Sequence, residues 1–290
     1  MPHALIVCGE RGIGKRAWAN AVAGLLVCER PSGQDSGNPV PCGRCKQCEL
    51  YGAASHPDVR VYGPEKSRMV KVDQVRALSA FAVASPQVAH YKVAIIDRGD
   101  QLNLNAANAL LKTLEEPQPD VTLILLQESG RPLLPTIRSR CQTLTIPVPG
   151  NAEANRWLVD QVGHLPEGER PSADTLAKAL MLAGNAPRLA LEYATGDFIG
   201  LRDEALERFK EFMKSRISLG EAARSFKAMG LEDTLWLFET WAADLARMIG
   251  GGAAKDTDAA DMIGFLAKTT PAWRAHELLE MVRDSRAAGV

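Results

Sequence analysis

At 290 residues, 46% hydrophobic and 24% charged, the chain exceeds what one hydrophobic core usually organises, and two or three domains are expected. A net charge of −1 supplies no global field to draw it to nucleic acid, which leaves only local basic patches for that purpose. No run approaches the roughly 20 apolar residues of a membrane-spanning helix, and the N-terminus lacks the layout of a secretory signal, so a cytoplasmic protein is expected.

In chain order, ALIVCG (4–9) reads as a buried strand, followed by a glycine-rich loop and a helix from Lys15 to about Leu26. Gly9, Gly14 and Lys15 satisfy the Gly-x-x-x-x-Gly-Lys pattern of a phosphate-cradling loop. The next position should carry a Ser or Thr hydroxyl for Mg²⁺, yet Arg16 stands there, a cation with no acceptor lone pair.

The following stretch, ERPSGQDSGNPVPCGRCKQC, is too rich in Gly and Pro for a regular element. Its Cys42-x-x-Cys45-x-x-Cys48 spacing is that of a zinc knuckle, and Cys28 at the end of the preceding helix can supply a fourth thiolate. Four cysteines leave no open coordination position, so a structural Zn²⁺ is expected, with the metal organising the loop. His56 reads as a turn or capping residue rather than a further ligand.

MVKVDQVRALSAFAVA then predicts a helix capped by Asp73 with Val75, Leu78, Ser79 and Ala82 on its inner face. YKVAIIDRGD gives a second buried strand ending at Asp97, with Arg98 where an ATPase would place a second carboxylate. A helix from about Asn103 to Pro117, a third apolar strand VTLILLQ, and a basic segment that holds Arg138, Arg140 and Cys141 and precedes a strand follow. TLTIPVPGN reads as a linker. Continuous apolar strands alternating with helices imply a parallel sheet covered on both faces.

Beyond residue 150 the pattern is helical throughout. A small helical region reaches Gly196, with Pro187 and Arg188 in the first turn of one helix. Ser218 to Glu221 forms a capping box, LEDTLWLFETWAADLARMI carries a stripe of Leu231, Leu235, Phe238, Ala242, Leu245 and Ile249, and Thr270-Pro271 starts another helix.

HALIVCGERGIGK, the Cys28 to Cys48 pattern, HPDV, KVDQVRAL, NAANALLKTLEEP and TIRSRC occur in this order, and the combination resembles the clamp-loader branch of the AAA+ family. The degraded nucleotide motifs point within it to the delta-prime type of bacterial DNA polymerase III. The resemblance implies an α/β AAA+ core with a zinc-binding insertion at 28–48 (residues 1–147), a helical lid (148–200) and an all-α collar (201–290). It implies a pentameric ring with gamma/tau ATPase subunits and a delta subunit, placing a sliding clamp on primed DNA as part of a DNA-directed DNA polymerase holoenzyme. By the same resemblance Arg140 becomes an arginine finger acting on a neighbour's ATP site. Gly9, Gly14, Lys15 and Asp97 form a vestigial nucleotide site, and Arg188 falls where the lid places a nucleotide-sensing arginine. Members usually carry a short segment ahead of the first strand, whereas here the strand begins almost at Met1. Hydrolysis by this chain is not expected, and retention of ATP or ADP stays open. The alternatives are a hydrolysing motor subunit using Lys15 and Asp97, or a DNA-contacting zinc knuckle helped by Arg44 and Lys46.

Overall fold

The computed structural model describes residues 1–33, 37–65, 69–131 and 133–287; the centre of the Gly/Pro-rich loop and Pro132 of the basic segment lie outside them. The chain divides into two compact units, Met1–Val148 and Pro149–Val290. Among the described residues no helix is long and apolar enough to cross a membrane.

The first unit is built on five parallel strands in the order β2-β3-β4-β1-β5, with β1 at Ala4–Gly9, β2 at Val59–Tyr62, β3 at Lys92–Ile96, β4 at Val121–Glu128 and β5 at Gln142–Thr145. Strand residues alternate between faces, and both faces are buried, which is why β1, β3 and β4 are apolar except for Lys92 at the start of β3 and Thr122, Gln127 and Glu128 of β4. Ile6, Ile96 and Leu125 face a core completed by Leu78 and Phe81 of α3 (Val72–Val83) and Leu110 and Leu114 of α4 (Leu104–Glu115). Val7, Ile95, Ile124 and Leu126 face the other way, onto Ala19 and Ala23 of α1 (Lys15–Val27).

Two expectations need correction. The linker begins later than expected: Thr143–Thr145 belong to β5, the strand expected after the basic segment, which pairs with β1 in the register Leu5↔Gln142 to Cys8↔Thr145 and has exposed side chains because it lies at the sheet edge. Asp73 does not cap α3. The cap position is Lys71, whose N–H donates to Gln74 Oε1 at 3.0 Å while Asp73 sits inside the first turn facing Arg76. Asn103 does cap α4, accepting from the Ala106 N–H at 2.8 Å.

Between α1 and β2 the chain makes a bridge from Ser32 to Val40 and then α2 (Lys46–Gly52). Tyr51 of α2 packs into the α1 face of the core, and its hydroxyl donates to Asn20 O at 2.7 Å.

In the second unit, α6 (Asn151–Gly163), α7 (Ala173–Leu182) and α8 (Pro187–Thr195) share a core of Leu158, Leu176, Leu180, Leu189 and Tyr193. Helices α9 (Phe198–Met213), α10 (Leu219–Met229), α11 (Leu231–Ile249), α12 (Ala260–Thr269) and α13 (Ala272–Ala287) enclose a second core, where Phe209, Phe226, Phe238 and Trp241 meet edge to face or tilted. The Ser218 capping box forms, Ser218 Oγ accepting from the Glu221 N–H at 3.3 Å. The inner stripe of α11 is broader than expected: Phe238 and Ile249 pack against the core as anticipated, and Leu237 and Trp241 join it. Leu237, Trp241, Ala242 and Leu245 are buried while Leu231 is exposed. Asp244 is buried with them, and its carboxylate accepts the N–H groups of Lys255 and Asp256 at 2.9 Å each. The fully buried Arg202 guanidinium of α9 then pairs with Asp256, which also accepts from Trp241 Nε1 at 3.0 Å.

Candidate functional site

Parallel strands carry their ligand-binding loops at their C-terminal ends, beside strands whose connections diverge. Here β1 leads to an edge strand on one side and β4 leads over β1 to β5 on the other. The loops after β1, β3 and β4 meet at that end and bring together Gly9, Gly14, Lys15 and Asp97. Gly12 and Gly14 take positive φ (73° and 107°), a turn that L side chains rarely adopt, and Gly14 opens α1. Gly9 is favoured by proximity, since a Cβ there would crowd Ile146 O at 3.0 Å.

The loop's charged groups are engaged with the chain itself. Lys15 Nζ donates to Gly9 O and Glu10 O, each at 2.7 Å, and burial pushes its pKa down against the opposing pull of Glu128, Asp100 and Glu10. Arg16 Nη1 donates to Asp97 Oδ2 at 2.6 Å. The guanidinium therefore stands on the carboxylate that a magnesium ion would need, from the position that should offer the metal a hydroxyl. Arg98, in the left-handed region at φ 57°, lies 3.8 Å from Glu128.

Sequence reasoning missed the charges behind this loop. Arg131 stands 3.7 Å from Asp100 and 3.8 Å from Glu128, all three largely buried. Burial raises the Asp100 pKa, and Arg131 draws it the other way. The available signal was two polar residues, Gln127 and Glu128, closing an otherwise apolar strand.

Arg140 occupies the opposite end of the sheet. It immediately precedes Cys141 and β5, whose first residue pairs with Leu5 near the start of β1, roughly 13 Å along the strand from Gly9 at 3.3 Å per residue. The short helix α5 (Pro135–Arg138) is anchored by the fully buried Ile137. Arg140 Nη1 donates to Thr136 O at 2.8 Å and Ser139 Oγ at 3.2 Å, and Nη2 pairs with Glu115 Oε1 at 2.6 Å. Burial pushes the Cys141 thiol up to about 11, which leaves it protonated and unreactive.

Cys28, Cys42, Cys45 and Cys48 form a third site, their sulfurs all within 4.8 Å of one another. Sulfurs at the corners of a zinc tetrahedron with bonds near 2.3 Å stand about 3.8 Å apart, and the Cys42–Cys48 separation is 3.9 Å. The Cys42 N–H donates to Cys28 Sγ at 3.3 Å and the Cys48 N–H to Cys45 Sγ at 3.4 Å, contacts that favour thiolates. A backbone N–H from Arg44 brings Cys42 down to about 6, whereas burial pushes Cys48 up to about 12. The donor set fits a structural metal.

His56 stands outside that cluster and ties it to the sheet. His56 Nε2 and Gln47 Oε1 of α2 are 2.9 Å apart, and Nδ1 accepts from the Asp58 N–H at 3.1 Å, an arrangement that selects the Nε2–H tautomer. The fully buried Asp58 carboxylate accepts from the N–H groups of Gln87, Val88 and Ala89 at 2.8 Å each, and Gln47 Nε2 donates to Val88 O at 2.8 Å. Arg188 belongs to the second unit, where its guanidinium lies over the Trp157 ring at 5.7 Å.

The family model for DNA polymerase III, delta subunit, matches residues 1–149. The DNA polymerase III subunit delta' of Pseudomonas aeruginosa is 36% identical over 84% of this chain and 72% of its own length. The delta' subunits of Haemophilus influenzae and Escherichia coli are 33% and 34% identical over 75% and 67% of this chain, and the matched segments span 62% and 55% of those relatives. With the parallel P-loop sheet, the four-cysteine insertion and the helical C-terminal unit, these likenesses establish that the chain belongs to the DNA polymerase III delta' family of AAA+ clamp-loader subunits.

Proposed function

We propose that this chain is a non-hydrolysing subunit of the bacterial DNA polymerase III clamp loader. In that role it lends Arg140 to the nucleotide site of a neighbouring gamma/tau-type ATPase subunit, in a ring with a delta subunit that places the sliding clamp on primed DNA. The observation that carries the reading is the position of Arg140, at the opposite end of the sheet from Lys15. A guanidinium so placed is remote from its own phosphate loop and is available to charge developing on a partner's γ-phosphate.

The chain's own loop supports the same reading. Hydrolysis needs a magnesium ion held by a carboxylate and a hydroxyl, and a second acid or polar group that positions water. In this protein Arg16 neutralises Asp97 and Arg98 takes the place of the acid. Neither guanidinium can act as a base near neutral pH. Arg188, where a lid would sense nucleotide, is engaged with Trp157.

The four cysteines hold a structural Zn²⁺ in this reading. The metal cross-links the end of α1 to α2 and so replaces the hydrophobic core that the loop lacks. Residues 148–200 act as the lid and 201–290 as the collar through which subunits assemble, in the bacterial cytoplasm.

The test is ATP turnover by the complex reconstituted with motor subunits, delta, clamp and primed DNA. Arg140→Ala lowers turnover while the complex elutes at the same size. Unchanged turnover in the variant removes the finger assignment.

A further inference from the structure

We infer that Glu115 is the positioning residue of the Arg140 finger, an inference that rests on the trans-acting reading of Arg140. An arginine side chain has many rotamers, and contacts to one terminal nitrogen leave the guanidinium plane free to turn. The loop holds only Nη1, through Thr136 O at 2.8 Å and Ser139 Oγ at 3.2 Å. Glu115 Oε1 at 2.6 Å from Nη2 supplies the second anchor, which fixes the plane.

The anchor stands on a rigid base. Glu115 is the last residue of α4, where Leu110 and Leu114 are buried in the core, and Arg140 follows the equally buried Ile137. Both ends of the pair are thus attached to the packed interior, 25 residues apart in sequence. Among the described residues Arg140 has no further partner. Two parallel N–H donors of a guanidinium are what engage a phosphate bidentately, which makes the orientation of its plane matter. One third of the Arg140 side chain is exposed, so the pair lies at the surface.

An ordinary surface ion pair and a positioning strut make different predictions. The first contributes little to folding and nothing to turnover. The second leaves folding alone and governs the rate, because a misplaced transition-state donor loses up to about 100-fold at its own site.

The experiment measures steady-state ATP turnover by the reconstituted complex with Glu115→Ala, Glu115→Gln, Arg140→Ala and the Glu115→Ala/Arg140→Ala pair. The expected result is a lower kcat for Glu115→Ala, approaching that of Arg140→Ala, with KM for ATP, complex size and melting temperature unchanged. Glu115→Gln, which keeps an acceptor oxygen, recovers at least half of the lost rate, and the double variant is no slower than Arg140→Ala. Wild-type turnover in Glu115→Ala beside an impaired Arg140→Ala overturns the positioning role alone, as does a double variant whose losses multiply. Wild-type turnover in Arg140→Ala overturns both assignments. Should Glu115→Ala fail to assemble, Glu115→Gln, nearly the same size, carries the test: it must then be slower than wild type and faster than Arg140→Ala.

Discussion

Arg16 and Asp97, 81 residues apart in sequence, meet at 2.6 Å, so the carboxylate expected to hold a metal is held by a guanidinium. The lysine beside them is bound to its own loop's carbonyl oxygens. The phosphate loop keeps its shape, while the charges that fuel-splitting needs are either reversed or already paired.

Both members of that pair are more than one third exposed, so it adds at most about 1 kcal/mol to folding. Arg16→Ser should therefore lower the melting temperature by less than about 5 °C. It frees Asp97 and restores a hydroxyl, so calorimetric titration should show tighter binding of magnesium-ADP than in the parent chain. Hydrolysis stays absent because Arg98 is unchanged. Equal affinity in the two proteins would show that the pair does not control the pocket.

How far such features were legible follows from their range. Strands β1, β3 and β4 are predominantly apolar because both of their faces are covered, and the cysteine spacing announces its cluster locally. Strand β2 was not legible, since VRVY is four residues at the sheet edge with Arg60 and Val61 exposed. For the same reason the end of β5, exposed along its length, was merged with the linker that follows it. Loop identity at residues 16 and 98 was readable, but the Arg16–Asp97 and Glu115–Arg140 contacts are made by tertiary folding. No local pattern encodes them. On α11 the apolar stripe was legible but the burial of Asp244 beside it was not, because backbone N–H groups that only the folded chain supplies satisfy its carboxylate.

The His56–Asp58 clamp predicts an acid-sensitive fold. Burial lowers the His56 pKa below the ~6.5 of an unfolded histidine. Above that pH both states are neutral; below it the unfolded chain takes up a proton that the buried ring resists, and stability falls. Burial opposes ionisation of Asp58 as well, but three backbone N–H donors outweigh it and hold its pKa down. The Asp58 contribution is present above about pH 3.9 and lost as pH falls through its folded value. Melting temperatures should decline from pH 6.5 to 5, and His56→Gln, which offers a donor and an acceptor without titrating, should flatten that decline. An identical slope in the variant would assign the acid sensitivity elsewhere.

Metal removal should loosen more than the cysteine loop. Purified protein should contain about one zinc per chain. Chelation or Cys45→Ser should speed proteolysis within 28–48, and through Gln47 it should reduce hydrogen-exchange protection at Gln87, Val88 and Ala89. Loss of metal with no change in either region would contradict a structural role.

Arg202 and Asp256 are essentially fully buried, and removing one partner strands the other charge. Arg202→Met should cost about 3–5 kcal/mol in urea unfolding of the C-terminal unit, with part recovered by adding Asp256→Asn. A cost under about 1 kcal/mol would mean that water or a neighbour such as Lys178 compensates.

The most direct test compares two single variants, Lys15→Met and Arg140→Ala, in ATP turnover by the reconstituted clamp loader. Loss of an arginine finger costs on the order of 10³-fold at the site it serves, so the whole complex should slow measurably even with its other sites intact. The prediction is that Arg140→Ala slows turnover and Lys15→Met leaves it unchanged. A rate that depends on Lys15 and ignores Arg140 would make this chain the motor and contradict the account.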